Sequence, residues 1–124
     1  MPRFKKLFPK LKLANDRGEV VFNVLDPDPR WRESPEPGTY TCTAWVPPNL
    51  LNEGIIAVDA TVASLGGPAL RNHVNVPSIV TFNVVDPGLG DTAKGLFTGQ
   101  LRGGVRPLLE WTTSYAEADI PVRR

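Results

Sequence analysis

The chain has little of what catalysis, metal binding or covalent stapling draws on. Among its 124 residues there is one cysteine, Cys42, and one histidine, His73. A single cysteine forms no intramolecular disulfide, and one histidine with one cysteine cannot fill the tetrahedral shell of zinc. No apolar run reaches the roughly 20 residues that a membrane-spanning helix needs. Lys5, Lys6, Pro9, Lys10 and Lys12 break up the N-terminal segment too early for a secretory signal. The expectations that follow are a cytoplasmic location, no metal, no cofactor and no direct membrane insertion.

Catalytic patterns are equally sparse. A Ser/His/Asp site would have to recruit His73, which sits in a polar stretch between Asn72 and Asn75, and no serine lies in a G-x-S-x-G setting. Gly88-Leu89-Gly90-Asp91-Thr92-Ala93-Lys94-Gly95 has the glycines of a phosphate loop. Such a loop needs lysine directly after its last glycine and then serine or threonine, whereas Leu96 and Phe97 follow Gly95. This stretch is therefore expected to be a surface turn, and a non-catalytic protein is expected overall.

Helical periodicity is the remaining absence. Thirteen prolines and eleven glycines cut the chain into short pieces in which apolar residues alternate. Phe8 to Ala14 reads as a strand with Leu11 and Leu13 on one face and Lys10 and Lys12 on the other. Phe4, Leu7, Phe8 and Leu11 also fit a basic amphipathic helix, but Pro9 would remove one of its hydrogen bonds, so a strand is preferred. Asn15-Asp16-Arg17-Gly18 supplies turn chemistry, and Val20, Phe22 and Val24 resume the alternation.

Residues 26–38 hold four prolines and read as a loop crossing between sheets. Thr39 to Val46 gives the clearest strand pattern, with Tyr40, Cys42, Ala44 and Val46 expected to face the core. Pro47 to Gly54 reads as a turn. Ile56, Val58, Ala60 and Val62 define a further strand, and Ser78 to Val85 another, in which Val80, Phe82 and Val84 share a face. Leu96 to Trp111 alternates more weakly, as two short strands or one bent one, and a polar, frayed tail is expected from Thr112 to Arg124. With 41% hydrophobic and 22% charged residues this describes one all-β domain. Its turn frequency favours an immunoglobulin-like antiparallel β-sandwich over a barrel.

Charge is unevenly spread although the formal net charge is only +1. Residues 1–17 carry net +5 and residues 18–60 net −5. A solvated strand face accounts for this as well as a nucleic-acid or membrane edge does, and no nucleic-acid partner is expected.

The aromatic and hydroxyl residues point towards binding. Trp45 shares its strand face with Thr41 and Thr43, opposite the expected core side, and Asp59, Thr61, Thr81 and Asn83 occupy the corresponding faces of their strands. If these strands are neighbours they form a polar platform with one indole. Sugar C–H faces stack on such rings while polar neighbours bind hydroxyls. The competing reading packs Trp45 beneath the 26–38 loop or a partner subunit.

Several blocks together resemble a known family. Pro37-Gly38-Thr39-Tyr40, Thr43-Ala44-Trp45-Val46-Pro47 and Asn49-Leu50-Leu51-Asn52-Glu53-Gly54 come first. Phe82-Asn83-Val84-Val85-Asp86-Pro87, Gly90-Asp91-Thr92-Ala93-Lys94-Gly95 and Gly104-Val105-Arg106-Pro107-Leu108-Leu109-Glu110-Trp111 follow in order. They are similar to the Wzt-type C-terminal domain of ATP-binding subunits in polysaccharide ABC transporters, over roughly residues 8–111. The resemblance implies an immunoglobulin-like sandwich that recognises an O-antigen-like polysaccharide for export, alongside ATPase and permease subunits at the inner face of the plasma membrane. It also implies homodimers formed by exchanged strands. Family members carry further strands before the position of Phe8. The sandwich, residues 1–111, is therefore expected to be incomplete at its N-terminal side, either a fragment or completed by another chain.

Overall fold

A computed structural model of the chain describes residues 6–33, 35–66 and 68–118. It is all-β, with four antiparallel strands in one sheet: β1 (Leu7–Asn15), β2 (Val20–Leu25), β3 (Gly54–Gly66) and β4 (Ala69–Val84), in the order β2-β1-β3-β4. The helical content is a short 3-10 turn, Pro29–Arg32, which Asp28 starts by accepting a hydrogen bond from the Arg30 N–H at 2.9 Å. No helix among the described residues is long and apolar enough to cross a membrane.

The β1–β2 hairpin follows from the chemistry of its turn. Asn15 Oδ1 accepts from the N–H groups of Arg17 and Glu19 at 3.0 and 2.9 Å, and Gly18 takes φ +78°, which a residue with a Cβ rarely adopts. From Leu7 onward the basic N-terminal segment is strand, in line with the preference set by Pro9. Phe4 and Lys5 lie outside the described residues.

β4 begins nine residues before the strand expected at Ser78. Its partner register steps from Val58↔Val80 to Ala60↔Val76, so β4 spends two extra residues around Pro77. Proline has no N–H for the ladder, and the irregularity absorbs it: Ser78 sits at φ +48° and its N–H donates to Asp59 Oδ1 at 2.8 Å. Proline in the sequence thus marks a bulge inside a strand rather than its start.

Cross-strand partners share a face, so the register sorts the sheet into two sides. Leu11 and Leu13 of β1 align with Val24 and Phe22 of β2 and with Ala60 and Val58 of β3. Ile56, Val58, Ala60 and Val62 align in turn with Phe82, Val80, Val76 and Val74 of β4. This side is apolar over these residues, and its polar positions lie at its ends, where Asn15 pairs with Ile56 and Ser64 with Arg71. The sheet's other side carries Lys10, Lys12, Asn23, Asp59, Thr61, Asn75, Thr81 and Asn83.

Only part of the apolar side is covered. Leu51 packs on Leu13, Ile56 and Val58, flanked by Leu11, Val21, Phe22 and Val84. It is held there by an isolated bridge to Val105, by Arg106 N–H to Leu50 C=O at 2.5 Å, and by Leu108 N–H to Asn49 C=O at 3.1 Å. Val24, Val74, Val76, Val80 and Phe82 remain exposed.

The expected strand Thr39 to Val46 is absent: no residue of this segment forms a β-ladder with another described residue, and Tyr40, Cys42, Ala44 and Val46, expected in the core, are exposed. An alternating sequence becomes a strand only when a neighbour satisfies its backbone, and Pro47 and Pro48 offer no N–H to extend the Leu51–Val105 bridge in this direction. Leu96 to Trp111 contributes only the bridge at Val105. The polar tail is described to Ala118 and holds no strand, while Arg123 and Arg124 lie outside the described residues.

Candidate functional site

Four of the seven expected platform residues, Asp59, Thr61, Thr81 and Asn83, share the polar side of the sheet. Asp59 lies in β3 opposite Lys12, with its carboxylate 3.4 Å from the Lys12 ammonium. The Ser78 N–H first, and then Lys12, hold the Asp59 carboxyl below the ordinary carboxylate range. Thr61 is buried and donates to Asn75 Oδ1 at 2.7 Å across the β3–β4 pair, so its hydroxyl hydrogen is committed within the protein. Asn83 is exposed opposite Ile55, next to Thr81 along the same side of β4.

Thr41, Thr43 and Trp45 are not on that platform, because the strand meant to carry them does not form. Trp45 is 89% exposed and therefore does not pack beneath the 26–38 loop. Trp31 and Tyr40 are the aromatics ordered by that loop. Their rings meet edge to face at 5.3 Å, Trp31 Nε1 donates to Asp26 Oδ2 at 2.8 Å, and the Tyr40 hydroxyl donates to the Glu36 carbonyl.

A charged network missed by sequence reasoning lies at the end of the sheet where the loops gather. Glu53 Oε1 receives Lys94 Nζ at 2.8 Å and Arg106 Nη1 at 3.0 Å, and the second Arg106 nitrogen reaches Asp86 Oδ2 at 3.3 Å. Asp86 also accepts from the Thr92 hydroxyl at 2.5 Å and the Gly88 N–H at 2.8 Å. Lys94 and then Arg106 hold the Glu53 carboxyl low; the Thr92 hydroxyl, the Gly88 N–H and the Arg106 charge do the same for Asp86. Asn52 Nδ2 donates to the carbonyls of Leu101 and Gly103 at 2.8 and 2.7 Å, tying the 98–104 loop to the same corner. The available signal was that each of these residues stands in a turn block beside glycine or proline, but spacings of 41 and 53 residues carry no periodicity that would pair them.

Two hollows flank this network. The larger, about 450 Å³, opens between the 15–18 turn, residues 52–54 and the 98–104 loop. The smaller, about 280 Å³, lies between residues 46–49 and the end of β4, with Leu51, Phe82 and Arg106 in its wall.

Gly88 to Gly95 is irregular surface chain whose Lys94 is committed to Glu53, consistent with a turn rather than a phosphate cradle. His73 occupies a second irregularity of β4, with Nε2 2.6 Å from Ser64 Oγ. No carboxylate among the described residues orients this imidazole, which a hydrolytic triad would require.

Comparison with known proteins returned no matching family model, curated relative or solved structure.

Proposed function

We propose that the chain is a non-catalytic carbohydrate-binding module of the Wzt C-terminal type, recognising an O-antigen-like cell-surface polysaccharide for export by an ABC transporter. The observation that carries this reading is the convergence of four of the resembling blocks. Glu53, Asp86, Thr92 and Lys94, and Arg106 come from separate blocks and meet in one ion network. Motif residues scattered over 54 positions that assemble into one contact set behave as parts of a single fold signature. The polar side of the sheet, with amide and hydroxyl groups beside a Lys12–Asp59 pair, supplies the kind of surface that a polyol engages. Trp45 stands free as a stacking ring on an independent segment.

In this reading the four-stranded sheet is one layer of an immunoglobulin-like sandwich, and a second copy of the chain supplies cover for the apolar side. The chain exposes 10385 Å², whereas a compact monomer of 13.6 kDa exposes about 6,600 Å². Val24, Val74, Val76, Val80 and Phe82 contribute to this excess, as does the exposed chain of residues 39–46 and 107–118. The aligned residues Val74, Val76, Val80 and Phe82 of β4 and their partners on β3 carry no charge, and Arg71, paired with Ser64, lies beyond them at the end of the same side. The ATPase and permease subunits of the exporter are the further partners, at the inner face of the plasma membrane.

The same exposed side favours a second reading, a dimerisation or docking module of the export machinery that touches no sugar. Titrating the chain with the polysaccharide of its source organism, followed by tryptophan fluorescence and calorimetry, separates the two. The first expects a saturable response. Silence in both signals at millimolar glycan leaves the docking reading.

A further inference from the structure

We propose that the hollow between the 15–18 turn and the 98–104 loop is a binding pocket for a saccharide unit bearing one anionic group. This rests on the carbohydrate-binding reading and names a subsite and ligand class within it. The hollow measures about 450 Å³, which falls in the range of small-ligand sites. Three separate segments build it, and the Asn52 amide bonds to Leu101 and Gly103 hold two of them in register.

Charge accounting sets the class of ligand. Glu53 on the wall is already matched by Lys94 and Arg106. Arg17 and Arg102 also line the hollow, are exposed, and form no ion pair among the described residues; Asp16 is the one wall carboxylate in the same position. Two uncommitted guanidinium groups against one carboxylate leave room for a single negative charge on the ligand. Guanidinium is well matched to carboxylate or phosphate, because its N–H groups form a planar fork. Gln100 and Thr98 add amide and hydroxyl groups suited to sugar hydroxyls.

The test is a two-dimensional amide NMR titration of the full chain with glucuronate, glucose and inorganic phosphate as separate probes. Glucuronate is expected to shift resonances of residues 15–17, 52–54 and 98–104 saturably, and to bind about tenfold more tightly than either other probe, the scale of one charge-assisted contact. Arg17→Gln and Arg102→Gln should each weaken glucuronate binding severalfold. Both side chains are exposed and unpartnered, so the dispersed spectrum of the folded chain should persist in these variants and report that they remain folded. Equal affinity for glucose overturns the anionic assignment, and equal affinity for phosphate overturns the saccharide assignment. Shifts confined to other residues, no shifts at all, or unchanged binding in both variants overturn the pocket. If the source polysaccharide still binds when glucuronate does not, the pocket fails while the carbohydrate-binding reading stands.

Discussion

Arg106 Nη2 lies 3.3 Å from Asp86 Oδ2, and both side chains are nearly closed off from solvent, at 8% and 2% exposure. The same guanidinium reaches Glu53, so one residue joins the end of β4 to the turn before β3. Removing it leaves two carboxylates without their shared cation in a partly desolvated corner. Arg106→Met is expected to lower the thermal midpoint at pH 7 by several degrees, measured by circular dichroism.

The acid response of this corner has a definite sign. Glu53 and Asp86 titrate below their ordinary values in the folded chain, so their contribution is complete above the ordinary carboxylate range and is lost as pH falls through the depressed values. Melts of the wild-type chain should therefore change little through this network between pH 7 and about 5, then fall steeply below about pH 4. In Arg106→Met the fall should be shallower, because the pKa depression that drives it has been reduced.

Ile56 and Trp45 should respond in opposite ways. Ile56 is 2% exposed in the cluster with Leu13, Val58 and Leu51, and Ile56→Ala is expected to cost about 2–5 kcal/mol in chemical denaturation. Trp45→Ala removes a side chain with almost no cover, so the denaturation midpoint should hold while response to the polysaccharide weakens. Unfolding of the Trp45 variant would place that ring in a packed interface instead.

The uncovered apolar side predicts self-association. Light scattering behind size exclusion should give a dimer mass for the wild-type chain. Val76→Lys and Val80→Lys, each placing a charge at an exposed site on that side, should shift it towards monomer. A wild-type monomer with unchanged variants would remove the second copy as the cover.

Asp59 supports the irregularity of β4 through the Ser78 N–H. Asp59→Ala should accelerate hydrogen exchange at Ser78 while the amides of β1 keep their protection. Uniform loss of protection over the sheet would instead make Asp59 part of the global stability of the fold.

The hairpin turn at residues 15–18, the strand at Phe8 to Ala14, the alternation of Val20, Phe22 and Val24, and the apolar stripe of Ile56 to Val62 were legible in the sequence. Each depends on nearest neighbours: alternation sets which side chains share a face, and an asparagine and a glycine set the turn. Asp59, Thr61 and Asn83 could be grouped for the same reason. The fate of residues 39–46 was not legible, since their alternation is as regular as that of β1 yet no strand among the described residues pairs with them to complete the backbone hydrogen bonds. Nor was the reach of β4 past Pro77, because only the Asp59 carboxylate and the offset register show how the missing N–H is accommodated. The network of Glu53, Lys94, Arg106 and Asp86 belongs wholly to the tertiary structure. Its members are distant in sequence, and only the folding of their loops onto one end of the sheet brings the charges within reach of each other.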